Sequence, residues 1–237
     1  MGPSMRHRLC VLAGFAAALL SAPCLPAEPV DANTGAACPG AAAWQSAHAD
    51  QSVAGMRRRD AARTPSRPDL LAELERRVAA DQSARRAMLA HRGDDDAQRA
   101  VVHIDADNDA WLVDQFRKDG VAHAAQVGEF GLHLTWLLVQ HADRQPQLQE
   151  IALKEFVHRY ESGEFSADDL ARLTDRVLLA QGKPQRFGTQ FDWASGKFDP
   201  RHIDDAAGVD AQRGQLGLMP LSDYACVMNL ALRRVVP

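Results

Sequence analysis

A mostly apolar run between residues 132 and 139 limits the possible folds of this chain more than any other feature. The run reads LHLTWLLV and places apolar side chains on every side of a helix. A helix with no face that suits water must lie at the centre of a packed domain. We therefore expect a central buried helix with the rest of the domain packed around it.

Helical spacing of apolar residues predicts further helices on both sides of this run. Leucine and valine residues recur at that spacing after Pro68, and proline suits the first turn of a helix. Ser166, with Asp169 three residues later, forms a capping-box pattern. Prolines and glycines mark most of the other ends. Helices are predicted from residue 68 and over 107–119, 132–139, 146–163, 166–182 and 222–234.

The pattern changes after Pro184. RFGTQFDW and KFDPRHI flank the turn-forming residues 194–196, and these segments are rich in aromatic residues with little helical period. Such a pattern predicts a short β-hairpin, here near residues 186–203. The predicted fold class is mainly α, a single helical domain over residues 67–237 with a small C-terminal β-hairpin.

The first 27 residues have the order of a secretory signal peptide. A positive segment around Arg6 and Arg8 precedes a small and apolar stretch over 9–21, and a small-residue region ends at Ala27. The stretch is shorter than the about 20 residues that a membrane-spanning helix needs. We predict cleavage after Ala27 and a periplasmic or secreted protein without a stable membrane span. The alternatives are an uncleaved anchor and a lipoprotein acylated at Cys24.

Charge and composition bear on nucleic-acid binding by the mature chain and on the flexibility of its N-terminal segment. Loss of Arg6 and Arg8 would move the net charge from −4 to −6, so the chain has no electrostatic reason to bind nucleic acid. Residues 28–66 are rich in Ala, Gly, Pro and Ser and poor in large apolar side chains. That composition predicts a flexible N-terminal segment with at most a weak helix near 41–63.

Two cysteines, Cys38 and Cys226, would remain after cleavage. An oxidising compartment permits one disulfide between them. Their spacing does not show whether they come within bridging distance, so two free thiols remain the alternative.

Three polar clusters lie at the ends or flanks of apolar segments. They are Gln140-His141-Asp143, Thr174-Asp175-Arg176 and Gly188-Thr189-Gln190. Their placement suits groups gathered around one site.

With WLLVQHAD, LTDRV and FGTQ, the chain resembles a bacterial domain of unknown function numbered 6624, whose third motif is YGTQ. The resemblance implies that the three clusters matter together, and it brings a fold expectation without an established activity. Asp105 and Asn108 also resemble the Asp-x-x-Asn stretch of that family. Two departures stand out: residues 120–122 replace the usual Gly-Trp-Pro turn, and Phe187 replaces the tyrosine of YGTQ.

The polar residues are compatible with both chemical and structural roles. His141 suits an acid or base that Asp143 orients, or a histidine stabilised at a helix end followed by a capping aspartate. Arg176 suits bidentate hydrogen bonding to a carboxylate ligand, or an internal ion pair that ties its helix to the hairpin. Thr189 and Gln190 suit a ligand-facing turn or the satisfaction of buried backbone groups.

No cofactor and no metal site is predicted. Asp105, Asp107 and Asp109 alternate as in a calcium loop, but Ala110 and Phe116 stand where an EF-hand needs Gly and Glu. We interpret the acid-rich stretch as a helix start capped by Asp105 or Asp107. The sequence contains no HExxH, GxSxG or glycine-rich phosphate loop.

Two functions remain open at this point. The first is an exported module that binds a small-molecule or envelope ligand, or a partner, through the polar cluster without catalysis. The second is a small extracytoplasmic enzyme that uses His141 as acid or base on a polar small molecule or envelope fragment. The catalytic candidates are His141 and Asp143. The candidate binding residues are Asp105, Asn108, Gln140, Asp175, Arg176, Thr189 and Gln190.

Overall fold

The computed structural model describes residues 32–91, 93–194 and 197–233, so the predicted signal peptide lies outside the described residues. Within them the helices and strands follow in this order: α1 (Ala32–Ala37), α2 (Pro39–Ala47), α3 (Val53–Asp60), α4 (Pro68–Ala90), α5 (Asp95–Asp119), α6 (Ala124–His141), α7 (Pro146–Glu161), α8 (Ala167–Ala180), β1 (Phe191–Ala194), β2 (Lys197–Pro200), α9 (Val209–Gln215) and α10 (Leu221–Arg233). The predicted fold class is confirmed.

Helix α6 is the central element. Leu132, Trp136 and Val139 are fully buried, and α6 packs against α3, α4, α5, α7 and α8. Helices surround it because its apolar side chains point in every direction, as the run at 132–139 predicted.

A kink at Gly128 divides α6 near its start. Gly128 has a φ of 78°, a conformation that favours glycine, and a Cβ there would lie 2.5 Å from the Asp60 carboxylate. That carboxylate accepts hydrogen bonds from the backbone N–H groups of Glu129 (3.0 Å) and Phe130 (2.8 Å). Asp60, at the end of α3, therefore caps the longer part of α6.

Most helix ends agree with the prediction, and two starts do not: α6 begins at Ala124 rather than at 132, and α5 also begins earlier than predicted. Helix α4 begins at Pro68, and Ser166 caps α8 by accepting from the N–H of Asp169. Helix α5 begins at Asp95 because Asp94 caps it, whereas a start near Asp107 was predicted. The interpretation of Asp105 and Asp107 as capping residues is therefore wrong.

The predicted hairpin is confirmed. Strands β1 and β2 pair antiparallel, with Phe191 opposite Pro200. Asn229 of α10 accepts from the N–H of Phe198 (2.9 Å) and donates to its carbonyl oxygen (2.7 Å). These bonds fix the hairpin on α10.

The N-terminal residues 32–60 are helical and partly buried, which their composition did not predict. Cys38 and Ala41 pack with Phe191 and Tyr224 in a second apolar cluster, and Cys38 forms a disulfide with Cys226. Small alanine side chains let α2 approach α10 closely, so burial here needs few large residues. None of the helices in the described ranges combines the length and the apolar character that a bilayer crossing requires.

Candidate functional site

Asp175 connects one group of the predicted polar residues. Its carboxylate is fully buried and accepts from the backbone N–H groups of Arg186 (2.7 Å), Phe187 (2.9 Å) and Thr189 (2.9 Å). The Thr189 hydroxyl donates a fourth hydrogen bond (2.8 Å). We call Asp175 with these three residues the Asp175 anchor. It ties α8 to the segment before β1.

Neighbouring side chains complete the anchor. Gln190 donates to Thr189 Oγ1 (3.2 Å), and Gln185 donates to the carbonyl oxygen of Gln190 (3.1 Å). Arg213, which the sequence analysis missed, donates to the carbonyl oxygen of Phe187 (2.6 Å) and is buried. The predicted binding residues Asp175, Thr189 and Gln190 thus bond to the protein itself.

His141 belongs to a different group of polar residues at the C-terminal end of α6. Its Nδ1 lies 3.0 Å from Asp81 Oδ2, and Asp81 Oδ1 accepts from Arg85 Nε (3.0 Å). Arg85 also bonds to Asp105. The residue that orients His141 is therefore Asp81 of α4. The prediction that Asp143 orients His141 is wrong.

Asp143 pairs with Arg176 instead, at 2.6 Å between Oδ1 and Nη1. The predicted internal ion pair of Arg176 exists, but it ties α8 to the loop after α6 rather than to the hairpin. Arg144 in the same loop lies 3.5 Å from Asp109 of α5. These two contacts connect residues 142–145 to both neighbouring helices.

Three residues, Gln140 and His141 at the end of α6 and Arg176 of α8, carry buried polar atoms that have no hydrogen-bond partner within the described part of the chain. These atoms are His141 Nε2, Gln140 Oε1 and Nε2, and Arg176 Nε. We call these residues and their charged neighbours the α6-end cluster, which comprises Asp81, Arg85, Asp105, Gln140, His141, Asp143 and Arg176. Among the predicted residues, ion pairs and electrostatic contacts link Asp105, His141, Asp143 and Arg176 in this cluster, and Gln140 precedes His141 in the sequence.

Asn108 lies outside both groups. It accepts from Arg77 Nη1 (3.0 Å), one helical turn along the α4–α5 interface from Asp105. Asn108 is buried, and this hydrogen bond joins it to another residue of the protein.

The family model described as "family of unknown function (DUF6624)" matches residues 68–235. The chain belongs to this family. The DUF6624 region contains α4 to α10 and therefore both polar groups, while α1 to α3 and Cys38 precede it. No curated protein and no solved structure matches the chain.

Burial determines the protonation of His141 in this DUF6624 chain. It lowers the pKa of His141, against the raising effect of Asp81, and nearby Arg85 and Arg176 lower it further. His141 is therefore neutral near pH 7. If Nδ1–H donates to Asp81, as the contact indicates, Nε2 carries the lone pair and accepts.

Two of the three carboxyl groups of the cluster, those of Asp81 and Asp105, respond differently to burial. Burial, with the charges of Asp81 and Asp109, raises the pKa of Asp105 to about 6 despite Arg85. Burial also acts to raise the pKa of Asp81, but the contacts with His141 and Arg85 outweigh it and lower that pKa. One carboxylate thus stays ionised near neutral pH while the other takes up a proton near pH 6.

The described residues contain no group of three or more His, Cys, Asp or Glu side chains arranged to hold a metal ion. What the α6-end cluster offers instead is hydrogen bonding. Gln140 and Arg176 present N–H donors, while His141 Nε2 and Gln140 Oε1 accept.

Proposed function

We propose that this DUF6624 member binds a small neutral ligand at the α6-end cluster. The ligand carries both a hydrogen-bond acceptor and a donor, as an amide does. The observation that carries the proposal is the set of buried polar atoms of Gln140, His141 and Arg176 without hydrogen-bond partners.

The free-energy cost of leaving these polar atoms unpaired favours the binding of a ligand. A buried polar group left unpaired costs about 1–3 kcal/mol, which a bound partner recovers. An amide oxygen accepts from Gln140 Nε2 or Arg176 Nε, and an amide N–H donates to His141 Nε2 or Gln140 Oε1. The ligand is neutral because the charges of the cluster already pair among themselves, as Arg85 does with Asp81 and Asp105, and Arg176 with Asp143.

Access to these atoms requires a small movement, and the loop over 142–145 is placed to provide it. The Asp143 side chain is 44% exposed and that of Arg144 50% exposed. Each pair joins an exposed side chain to a buried one, since Arg176 and Asp109 are 8% and 7% exposed, so opening these contacts to α8 and α5 costs about 1–3 kcal/mol each. Opening of the loop uncovers Gln140 and His141 for the ligand.

Gln140→Met tests the proposal because it replaces the unpaired amide by an apolar side chain of similar size. We expect the variant to gain about 1–3 kcal/mol in unfolding free energy, since an unsatisfied buried group is removed. Binding of the probes acetamide and N-acetylglucosamine, measured by isothermal titration calorimetry, should disappear.

Gln149→Met is the matched control. Gln149 is buried to nearly the same extent, but its amide donates to the carbonyl oxygen of Val139 (3.1 Å) and to Asp143 Oδ1 (3.4 Å). The same substitution there should lower stability by about 1–3 kcal/mol. Loss of stability in Gln140→Met, with no probe bound to the unmodified protein, would contradict the proposed binding site.

A second candidate function is acid–base catalysis, which the contact between His141 and Asp81 favours. A water molecule gives a proton to His141 Nε2, its oxygen attacks an amide carbonyl, and the proton then passes to the leaving amine. The test is hydrolysis of 4-nitroacetanilide by the unmodified protein and by His141→Gln. Turnover that His141→Gln does not reduce would exclude His141 as the base.

Export is part of the same proposal. The order of positive, apolar and small residues over 1–27 supports it, and the Cys38–Cys226 disulfide suits an oxidising compartment. N-terminal sequencing of the mature protein should find residue 28 first, in the periplasm or the medium. A mature chain that begins at an acylated Cys24 would instead support a lipoprotein.

A further inference from the structure

A cleft of about 400 Å³ lies at the opposite end of α6 from the α6-end cluster. Its volume falls within the range of about 300–1,000 Å³ that is typical of small-molecule sites. The walls come from α3 and the turn before it, the start of α6, the end of α7 and the start of α8.

The cleft is acidic. Four carboxylates line it, those of Asp50, Glu129, Glu164 and Asp169, against the single guanidinium of Arg59. Three of them have partners on the protein: Glu129 pairs with Arg59 (2.6 Å) and Arg63 (2.9 Å), Asp169 contacts His133, and the charge of Asp50 interacts with that of Arg59.

Glu164 remains to meet a ligand. It is half-buried, and within the described residues its carboxylate accepts one long hydrogen bond, 3.4 Å, from the N–H of Ala124. Asp50 is exposed at the rim and adds negative charge there. A positive charge beside Glu164 would compensate its carboxylate.

Beside the polar side chains of Gln51 and Ser166, the lining contains large apolar or aromatic side chains. These are Met56, Tyr160, Phe165 and Leu216. Aromatic faces attract cations as well as apolar groups. We infer that this cleft binds a small amphipathic organic cation, a protonated amine attached to an aromatic or aliphatic body.

The start of α8 does not turn the cleft into an anion site. A free helix N-terminus favours negative charge. Here Ser166 already accepts from the N–H of Asp169, and the carboxylate of Asp169 lies within the first turn. The positive end of α8 is therefore compensated by the protein itself.

One wall of the cleft precedes the matched DUF6624 region. Asp50, Met56 and Arg59 come from residues before 68, where the family match begins. The N-terminal segment therefore helps to define the ligand, beyond what the family region contributes.

Three probes with the same aromatic body and different charge test the inference: 2-phenylethylamine, 2-phenylethanol and 3-phenylpropanoate. In NMR titrations of the full chain, the amine should shift the backbone amide signals of Gly163 and Phe165. We expect a dissociation constant on the order of 1 mM. The amine should bind at least about tenfold more tightly than 3-phenylpropanoate and more weakly as salt rises. Equal or tighter binding of 3-phenylpropanoate, or no shift with the amine, would overturn the inference.

Glu164→Gln removes one charge while it keeps an acceptor for the N–H of Ala124. It should weaken binding of the amine about fivefold, the factor that one unit charge gives at about 4 Å in water. Binding of 2-phenylethanol should not change. Glu75→Gln, on the exposed face of α4 and outside the cleft, is the matched control and should leave both affinities unchanged.

An unchanged affinity of the amine for Glu164→Gln would contradict binding of the amine in this cleft. If Glu164→Gln does not fold, Asp50→Asn at the exposed rim provides the same test. The result is independent of the α6-end cluster. Gln140→Met should bind 2-phenylethylamine like the unmodified protein, so failure of one proposal is distinguishable from failure of the other.

Discussion

The Asp175 anchor and the α6-end cluster are built from the same kinds of residue, yet they differ in how completely they are bonded. In the anchor, the carboxylate of Asp175 accepts four hydrogen bonds. In the cluster, Gln140, His141 and Arg176 keep buried polar atoms without a partner among the described residues. Both groups contain residues of the family-like motifs. The motif alone therefore does not separate residues that are fully bonded within the protein from residues with unpartnered polar atoms, whereas the hydrogen bonds do.

The comparison also explains why adjacent motif residues have separate roles. Successive residues of a helix point about 100° apart, since a turn holds about 3.6 residues. Asp175 faces the segment before β1, and Arg176 faces Asp143 in the loop after α6. One short motif thus supplies one residue of the Asp175 anchor and one of the α6-end cluster.

Asp175→Ala should have the largest effect on stability. A small effect would contradict the structural role of the Asp175 anchor. Three backbone N–H groups and a hydroxyl would lose their acceptor, so we expect a loss of about 3–5 kcal/mol. In a domain of this size the melting temperature should fall by roughly 10 °C. Thermal and urea denaturation measure the change. Asp96→Ala, at a side chain 88% exposed, is the control and should stay within about 0.5 kcal/mol.

A double-mutant cycle on Asp143 and Arg176 should give a smaller effect. Each single alanine variant should lose about 1–3 kcal/mol, because Arg176 is buried and its charge is then left unpaired or removed. The double variant should lose less than the sum, with a coupling of about 1–2 kcal/mol. Strict additivity, measured by urea denaturation, would show that this ion pair does not hold the loop over 142–145.

The smallest effect should be a change in pH dependence from Asp105→Asn. The pKa of Asp105 is raised to about 6, so the folded state binds its proton more readily than the unfolded state. Asp105 therefore contributes stability as pH falls from 7 to 5, and this contribution is lost as pH rises through about 6. His141, with a lowered pKa, acts in the opposite direction.

Asp105→Asn should accordingly lose more stability than the unmodified protein between pH 7 and pH 5. Urea denaturation at a series of pH values measures the difference, and direct NMR titration of the Asp105 carboxyl carbon should give a midpoint near pH 6. A midpoint near 4 would mean that burial does not dominate at this carboxyl group.

Much of the helical framework was predictable because its signals are local. The apolar run over 132–139 identified α6, and Pro68 and Ser166 marked the starts of α4 and α8. Aromatic residues around a turn identified the hairpin. Each of these signals depends on neighbours in sequence.

The missed features depend on packing between distant segments. Asp81 contacts His141 across a separation of 60 residues, so spacing near His141 pointed to Asp143 instead. Residues 32–60 looked too poor in large side chains to be buried, but Ala41 packs with the hairpin and α10 beside the disulfide. Asp94, which starts α5 early, is a capping signal that the acid-rich stretch around Asp105 obscured.

The Cys38–Cys226 disulfide has a topological consequence. It joins residues that are 188 positions apart and so closes most of the polypeptide into a covalent ring. A single proteolytic cut inside that ring, for instance at residues 142–145, opens the ring but releases no fragment. The two pieces would separate only after reduction, so electrophoresis of a nicked sample with and without reductant would reveal whether the ring is closed in the cell.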